Sequence, residues 1–301
     1  VRHQRRLPGK ARTFTAPDDV RTFTFLPFRL TRNRQGTHTV PTESARDWGV
    51  RWRLFVSEAV GTAALVLGGL SIVIVMSGAG SPMPGIVPNE RLRTALTAFL
   101  FGCVGAGIAL SRVGRESGAH INPAVTMGFW LWRKLDARVA VGYVVAQMLG
   151  AGVGALPLLA WGAMGRSVVF GATIPGVGYS TAAVVMGEAV TTFGLVTTLS
   201  ICLVFRRLRP YTPFAIAVLY AVMVPLESHI SGTSTNPART FGPALISGRW
   251  DGWWIYWVGP MVGMLAAVLV CSRLAKRIEV AKLYHFESDR RRLFHRMAGT
   301  R

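Results

Sequence analysis

The chain has 301 residues, half of them hydrophobic and 16% charged, with 34 Lys and Arg against 14 Asp and Glu and a formal net charge of +20. In a soluble protein that excess would point to nucleic acid, but the basic residues avoid the long apolar stretches, so no nucleic-acid partner is expected. Cys103, Cys202 and Cys271 all sit in apolar sequence and form no disulfide or metal framework; without a metal-ligand cluster, nucleophile elbow or phosphate-cradling glycine loop, neither an enzyme nor a cofactor is expected.

Residues 1–48 are rich in Pro, Thr and Arg, lack a sustained apolar period, and read as a disordered basic cytoplasmic arm. Six apolar stretches follow, each near the roughly 20 residues needed to cross about 30 Å of hydrocarbon. They are Arg53–Met76, Leu92–Ser111, Ala137–Trp161, Ala182–Phe205, Tyr211–Ser228 and Gly252–Ser272. Small residues recur every fourth position in the third (Gly142, Ala146, Gly150, Gly154) and the last (Gly259, Gly263, Ala267), the pattern of close helix crossing. Trp250, Trp253, Trp254 and Trp257 cluster at one end of the last stretch, as an interfacial belt would. Residues 276–301 form a second basic tail. With both termini on one side, 29 of the 34 basic residues share that face, leaving Arg91, Arg93, Arg166 and Arg249 opposite and Arg239 within the membrane. The positive-inside rule then predicts a multi-pass protein of the cell (inner or plasma) membrane with cytoplasmic N- and C-termini.

One phrase occurs twice, 114 residues apart: Ser117-Gly118-Ala119-His120-Ile121-Asn122-Pro123-Ala124 and Ser231-Gly232-Thr233-Ser234-Thr235-Asn236-Pro237-Ala238. Each copy follows a similar helix start, Val56-Ser57-Glu58-Ala59 and Met186-Gly187-Glu188-Ala189. A duplicated polar break in apolar sequence predicts two repeats whose discontinuous helices meet near the bilayer midplane. Pro123 and Pro237 fit the first turn of a helix and Asn122 and Asn236 the cap before it, so each box opens a half-helix too short to span. Two such N-termini meeting at mid-membrane would each carry about half a positive charge. The Asn amides would donate to a passing water and turn its dipole, interrupting a proton wire. Glu58 and Glu188 admit two readings. Either could be a coupling carboxylate of an ion-driven transporter, or each could accept hydrogen bonds from backbone N–H groups of the loop leading to its box. Their placement, one per repeat, favours the second; His120 is expected to support the loop likewise.

These motifs, spread over residues 50–275, resemble the major intrinsic protein family, the aquaporins and aquaglyceroporins, as a bacterial-type member. The resemblance implies an all-α membrane protein of six transmembrane helices and two re-entrant half-helices in two inverted repeats. The channel domain would occupy 49–275, with repeats at about 50–161 and 180–274, and assemble as a homotetramer in the bilayer. It implies Asn122, Pro123, Ala124, Asn236, Pro237 and Ala238 as the pore boxes and Arg239 as part of the outer selectivity filter. Counting back from the second box gives Thr233 and Val224 as two further filter positions, the latter where strict water channels usually carry His. For the fourth, gapless counting from the first box gives Gly102, whereas matching the family's aromatic-Gly pair gives Phe101, which is favoured. Val224 makes for a wider, more apolar filter. Thr240, in place of the Asp common in glycerol facilitators, and the Tyr256-Trp257 pair lean toward water. The expected activity is passive conduction of water, with small uncharged solutes such as glycerol, ammonia or hydrogen peroxide, and exclusion of protons and ions. A glycerol-type facilitator is the nearest alternative and an ion-coupled secondary transporter a more distant one.

Overall fold

The computed structural model describes residues 31–32, 38–39 and 45–278. The chain divides into two units, Val1–Ser44 and Ala45–Arg301. In the first, Thr31–Arg32 (β1) and His38–Thr39 (β2) pair antiparallel, Thr31 opposite Thr39. Those four residues adopt regular structure in an arm for which none is expected; β-branched threonines favour the extended backbone. The rest of the arm before Ala45, and the tail beyond Ile278, lie outside the described residues.

In the second unit every regular element among the described residues is a helix. Its first half contains α1 (Ala45–Ser77), α2 (Met83–Ile86), α3 (Glu90–Leu110), α4 (Arg112–Ser117), α5 (Pro123–Leu131), α6 (Ala137–Ala155) and α7 (Gly162–Ser167). Its second half contains α8 (Thr181–Val204), α9 (Thr212–Ser231), α10 (Pro237–Ser247), α11 (Ile255–Val270) and α12 (Ser272–Ala275). The starts follow from capping: Asn89 accepts from Leu92 N, Asp136 from Arg138 N and Ser180 from Ala183 N. At the other ends, Gly232 and Gly248 take left-handed φ of 83° and 71° and stop α9 and α10.

Among the described residues, five helical segments are long and apolar enough to cross a membrane, and they correspond to the first five expected stretches. The sixth differs. Expected over Gly252–Ser272, α11 holds only 16 residues, about 24 Å of helix. Gly252 turns the chain with φ 60° against Pro175, so the tryptophans before Ile255 form a turn instead of a first helical turn. The third stretch is also interrupted: α6 ends at Ala155 and tightens into a 3-10 segment, Leu156–Trp161, because Pro157 lacks the N–H to continue the ladder.

α1 packs on α6 and α3, α8 packs on α11 and α9, and α3 meets α9 between them. Lipid tails are as apolar as leucine, so helix association here rests on close van der Waals fit. The small-residue stripes provide it. A Cβ added to Gly150 or Gly154 would run into the carbonyl oxygens of Ala59 or Ala63 on α1. In the second half, one on Gly263 would meet the Ala189 carbonyl, and one on Gly259 would lie 2.5 Å from Glu188 Cβ. Between halves, Gly102 packs against Ala217 so closely that a Cβ would stand 2.5 Å from its Cα.

Gly107, by contrast, has open space where a Cβ would go. Gly263→Ala is therefore expected to lower unfolding stability in detergent by at least about 1 kcal/mol. Gly107→Ala should change it by no more than about 1 kcal/mol, in the stabilising direction. Thermal melts of the two purified variants check the contrast.

Candidate functional site

The two repeated phrases fold alike. After α4, Gly118, Ala119 and Ile121 take φ of 95°, 52° and 41°; after α9, Gly232, Thr233 and Thr235 take 83°, 48° and 53°. A non-glycine residue in this region costs about 1–3 kcal/mol and persists only where its surroundings demand it. Here the demand comes from a buried carboxylate. Backbone that alternates in this way turns successive N–H groups toward one point, a concavity suited to an anion. Glu58 Oε1 and Oε2 accept from His120 N and Ile121 N at 3.0 and 2.7 Å. Glu188 Oε1 and Oε2 accept from Ser234 N and Thr235 N at 2.7 and 2.8 Å. Both carboxylates are fully buried, at 0% exposure.

Further contacts repeat in both halves. Ser117 Oγ accepts from Ala119 N and Ser231 Oγ from Thr233 N. The Tyr143 hydroxyl donates to Ser117 O at 2.6 Å, and the Tyr256 hydroxyl to Ser231 O at 2.8 Å. The halves differ beside the carboxylates: Gln147 Nε2 donates to Glu58 Oε2, whereas the Ser231 hydroxyl donates to Glu188 Oε1. His120 supports its loop through its main chain, while its ring lies against Phe129 and Tyr143 with Nδ1 3.3 Å from Thr126 Oγ1.

The loops deliver Asn122 and Asn236 to the starts of α5 and α10, with Pro123 and Pro237 in the first turn. Asn122 Oδ1 accepts from Ala124 N; Asn236 Oδ1 accepts from Ala238 N and, at 3.3 Å, from Arg239 N. The amide nitrogens reach across to the other copy. Asn122 Nδ2 donates to Thr235 O and Asn236 Nδ2 to Ile121 O, both at 2.9 Å. One N–H of each amide therefore ties the two boxes together. An amide has two N–H groups, and both asparagines line a cavity of about 260 Å3. Pro123, Ala124, Pro237 and Ala238 are buried behind them in the half-helices.

That cavity is long. Its lining runs from Thr94 to Ala109 along α3 and from Thr212 to Ser228 along α9, about 22 and 24 Å at 1.5 Å per residue. Phe101, Val224, Thr233 and Arg239 all line it, as does Gly102. Arg239 is 9% exposed, donates from Nη1 to Gly171 O at 2.8 Å, and sets its guanidinium carbon 5.9 Å from the centre of the Phe101 ring. Gly102 serves the α3–α9 crossing instead. Glu58 and Glu188 are not on the lining. Thr240 bonds the hydroxyls of Thr173 and Ser234.

Sequence reasoning passed over Gln147, Tyr143 and Glu227, a third carboxylate in an apolar stretch, which is buried at the end of α9. Polarity inside a span is the signal that could have found Gln147 and Glu227. The recurrence of a tyrosine at matching distance after each Ser-Gly could have found Tyr143. Removing one carboxylate tests the scaffold. Glu188→Ala orphans the N–H groups of Ser234 and Thr235, at about 1–3 kcal/mol each. Glu188→Gln keeps one acceptor oxygen and should lose less, an order that melts of the two variants would check.

A family model described as Major intrinsic protein matches residues 44–271. Over 238 residues the chain is 34% identical to Aquaporin AqpM of Methanothermobacter marburgensis, covering 73% of this chain and 96% of that one. It is 33% identical over 224 residues to Aquaporin-4 of Mus musculus, covering 72% of this chain and 65% of that relative's length. The X-ray structure of the aquaglyceroporin from Plasmodium falciparum shares the fold with a TM-score of 0.57 at 20% identity, over 74% of this chain and 96% of the other.

Proposed function

The chain belongs to the major intrinsic protein family, and from that premise we propose that it is a passive transmembrane channel for water and small uncharged solutes. The observation that carries this reading is the reciprocal pair of bonds between Asn122 and Thr235 O and between Asn236 and Ile121 O, made on the lining of a long cavity. Two helix N-termini face each other there, each with partial positive charge. One N–H of each asparagine remains for a solute oxygen, so a water in the middle accepts from both sides and cannot pass a proton along a file. Interrupting the wire in this way, with positive half-helix ends repelling cations, is the established device of aquaporin-type pores.

We take Phe101, Val224, Thr233 and Arg239 as the constriction. Support comes from their common lining and from the Arg239 guanidinium facing the Phe101 ring. Arg239 supplies donors while Phe101 and Val224 supply apolar walls. That mixture suits water with glycerol, ammonia or hydrogen peroxide, and the glycerol-type alternative is favoured by Val224 alone. The carboxylates of Glu58 and Glu188 have every oxygen engaged by loop N–H groups away from the cavity, which supports a scaffolding role over an ion-coupling one. The distribution of basic residues supports cytoplasmic termini and a cell membrane. We place the channel body in residues 49–275, with repeats at about 50–161 and 180–274, and the matched loop contacts favour that division. Exposed apolar side chains on α6 (Val141, Val145, Leu149, Val153) and α9 (Val218, Val222, Leu226) suit lipid or neighbouring subunits of a homotetramer.

Proteoliposomes in a stopped-flow light-scattering instrument test the reading. Protein should speed shrinkage in a sucrose gradient; equal rates with and without protein would reject a channel. Arg239→Val should raise cation or proton leak, read with a pH-sensitive dye, while water flow persists. Unchanged exclusion would place the constriction elsewhere.

A further inference from the structure

Glu227 is a third buried carboxylate, apart from the two that grip the loop N–H groups before the boxes. It sits in the last turn of α9, two residues after Pro225, is 7% exposed, and does not line the cavity. One carboxylate oxygen, Oε2, accepts a hydrogen bond from the hydroxyl of Thr233, which does line it. The other, Oε1, has no hydrogen-bond partner among the described residues. It lies against Gly187 on α8, where any Cβ would collide with it, so the neighbouring helix carries a residue without a side chain at the place where this carboxylate needs room. A buried carboxylate with half its acceptors idle is expensive in an apolar span. Thr233, whose hydroxyl it holds, is a wall residue of the passage.

The chemistry of that contact is directional. A threonine hydroxyl has one hydrogen and two lone pairs. If the hydrogen goes to Glu227, the oxygen can only accept from whatever passes. Arg239 on the same passage can only donate. We propose that Glu227 sets the hydrogen-bonding polarity of the constriction: it holds the Thr233 hydrogen, makes that oxygen an acceptor opposite the Arg239 donors, and so favours small hydroxyl-bearing solutes that both donate and accept. The inference rests on the channel reading above and assigns Glu227 as a positioning residue acting through Thr233. Val224 and Phe101 add apolar surface to the same lining as Thr233 and Arg239.

The test is the ratio of glycerol to water permeability in proteoliposomes of the purified full chain. Glu227→Leu removes the acceptor at similar volume and frees the Thr233 hydroxyl to rotate and donate, so the ratio should fall about fivefold, the worth of one net hydrogen bond. Glu227→Gln retains an acceptor oxygen and should hold the ratio within about twofold of the parent. In a Thr233→Val background, Glu227→Leu should produce no further change, because the two act as one unit. Glu227→Met serves in place of Leu if the latter does not yield folded protein. A ratio unmoved by either apolar substitution overturns the inference, as does an equal shift with and without the Thr233 hydroxyl. Absence of any protein-dependent water flow in the parent would instead reject the channel reading itself.

Discussion

Two carboxylates hold four backbone N–H groups, and the middle of the molecule depends on that grip. Loops at the level of the half-helix starts cannot borrow hydrogen bonds from lipid. Residues 119–121 and 233–235 therefore need partners of their own, and their left-handed φ values aim the N–H groups at Glu58 and Glu188. Strain at Ala119, Ile121, Thr233 and Thr235 is of order 1–3 kcal/mol per residue. A hydrogen bond to a charged acceptor contributes about 1.5–3 kcal/mol, so the four bonds roughly offset the four strained residues. The outcome is a polypeptide shape no free loop would keep, with Asn122 and Asn236 delivered to within hydrogen-bond distance of the opposite loop's main chain.

The surrounding helices serve that arrangement by coming unusually close. Glu188 and Ala189 sit where α8 meets α11, beside Gly259 and Gly263; Ala59, next to Glu58, sits where α1 meets α6, against Gly150. The same crossings that hold the bundle together thus seal the carboxylates from lipid. Both carboxylates are fully buried. α3 and α9 play a different part, since one long face of each is left to the cavity.

Much of this was legible in the residues. The repeated Ser-Gly and Asn-Pro-Ala phrases located both loops, both half-helices and, through Glu58 and Glu188, their supports, because these contacts are local or occur once per repeat. The apolar runs located the spans, though they overshot at Pro157 and Gly252, where one missing N–H and one positive φ end regular helix inside sequence that is still hydrophobic. What could not be read was partnership across the molecule. Nothing in the order of residues says that Asn122 bonds Thr235, that Glu227 bonds Thr233, or that Gly102 is spent on Ala217 while its neighbour Phe101 faces Arg239. Those facts depend on how α3 and α9 rotate against each other, which periodicity leaves open.

The crossed asparagine bonds also limit how such a passage can be shut. Each amide is anchored by the other loop's carbonyl, so neither half can withdraw without unpairing its counterpart in an interior where an unpaired polar group is costly. The waist behaves as a fixed gauge set by bond lengths. Any throttling of flow must then be done toward the rims, by side chains free to swing, and leaves the centre as it stands.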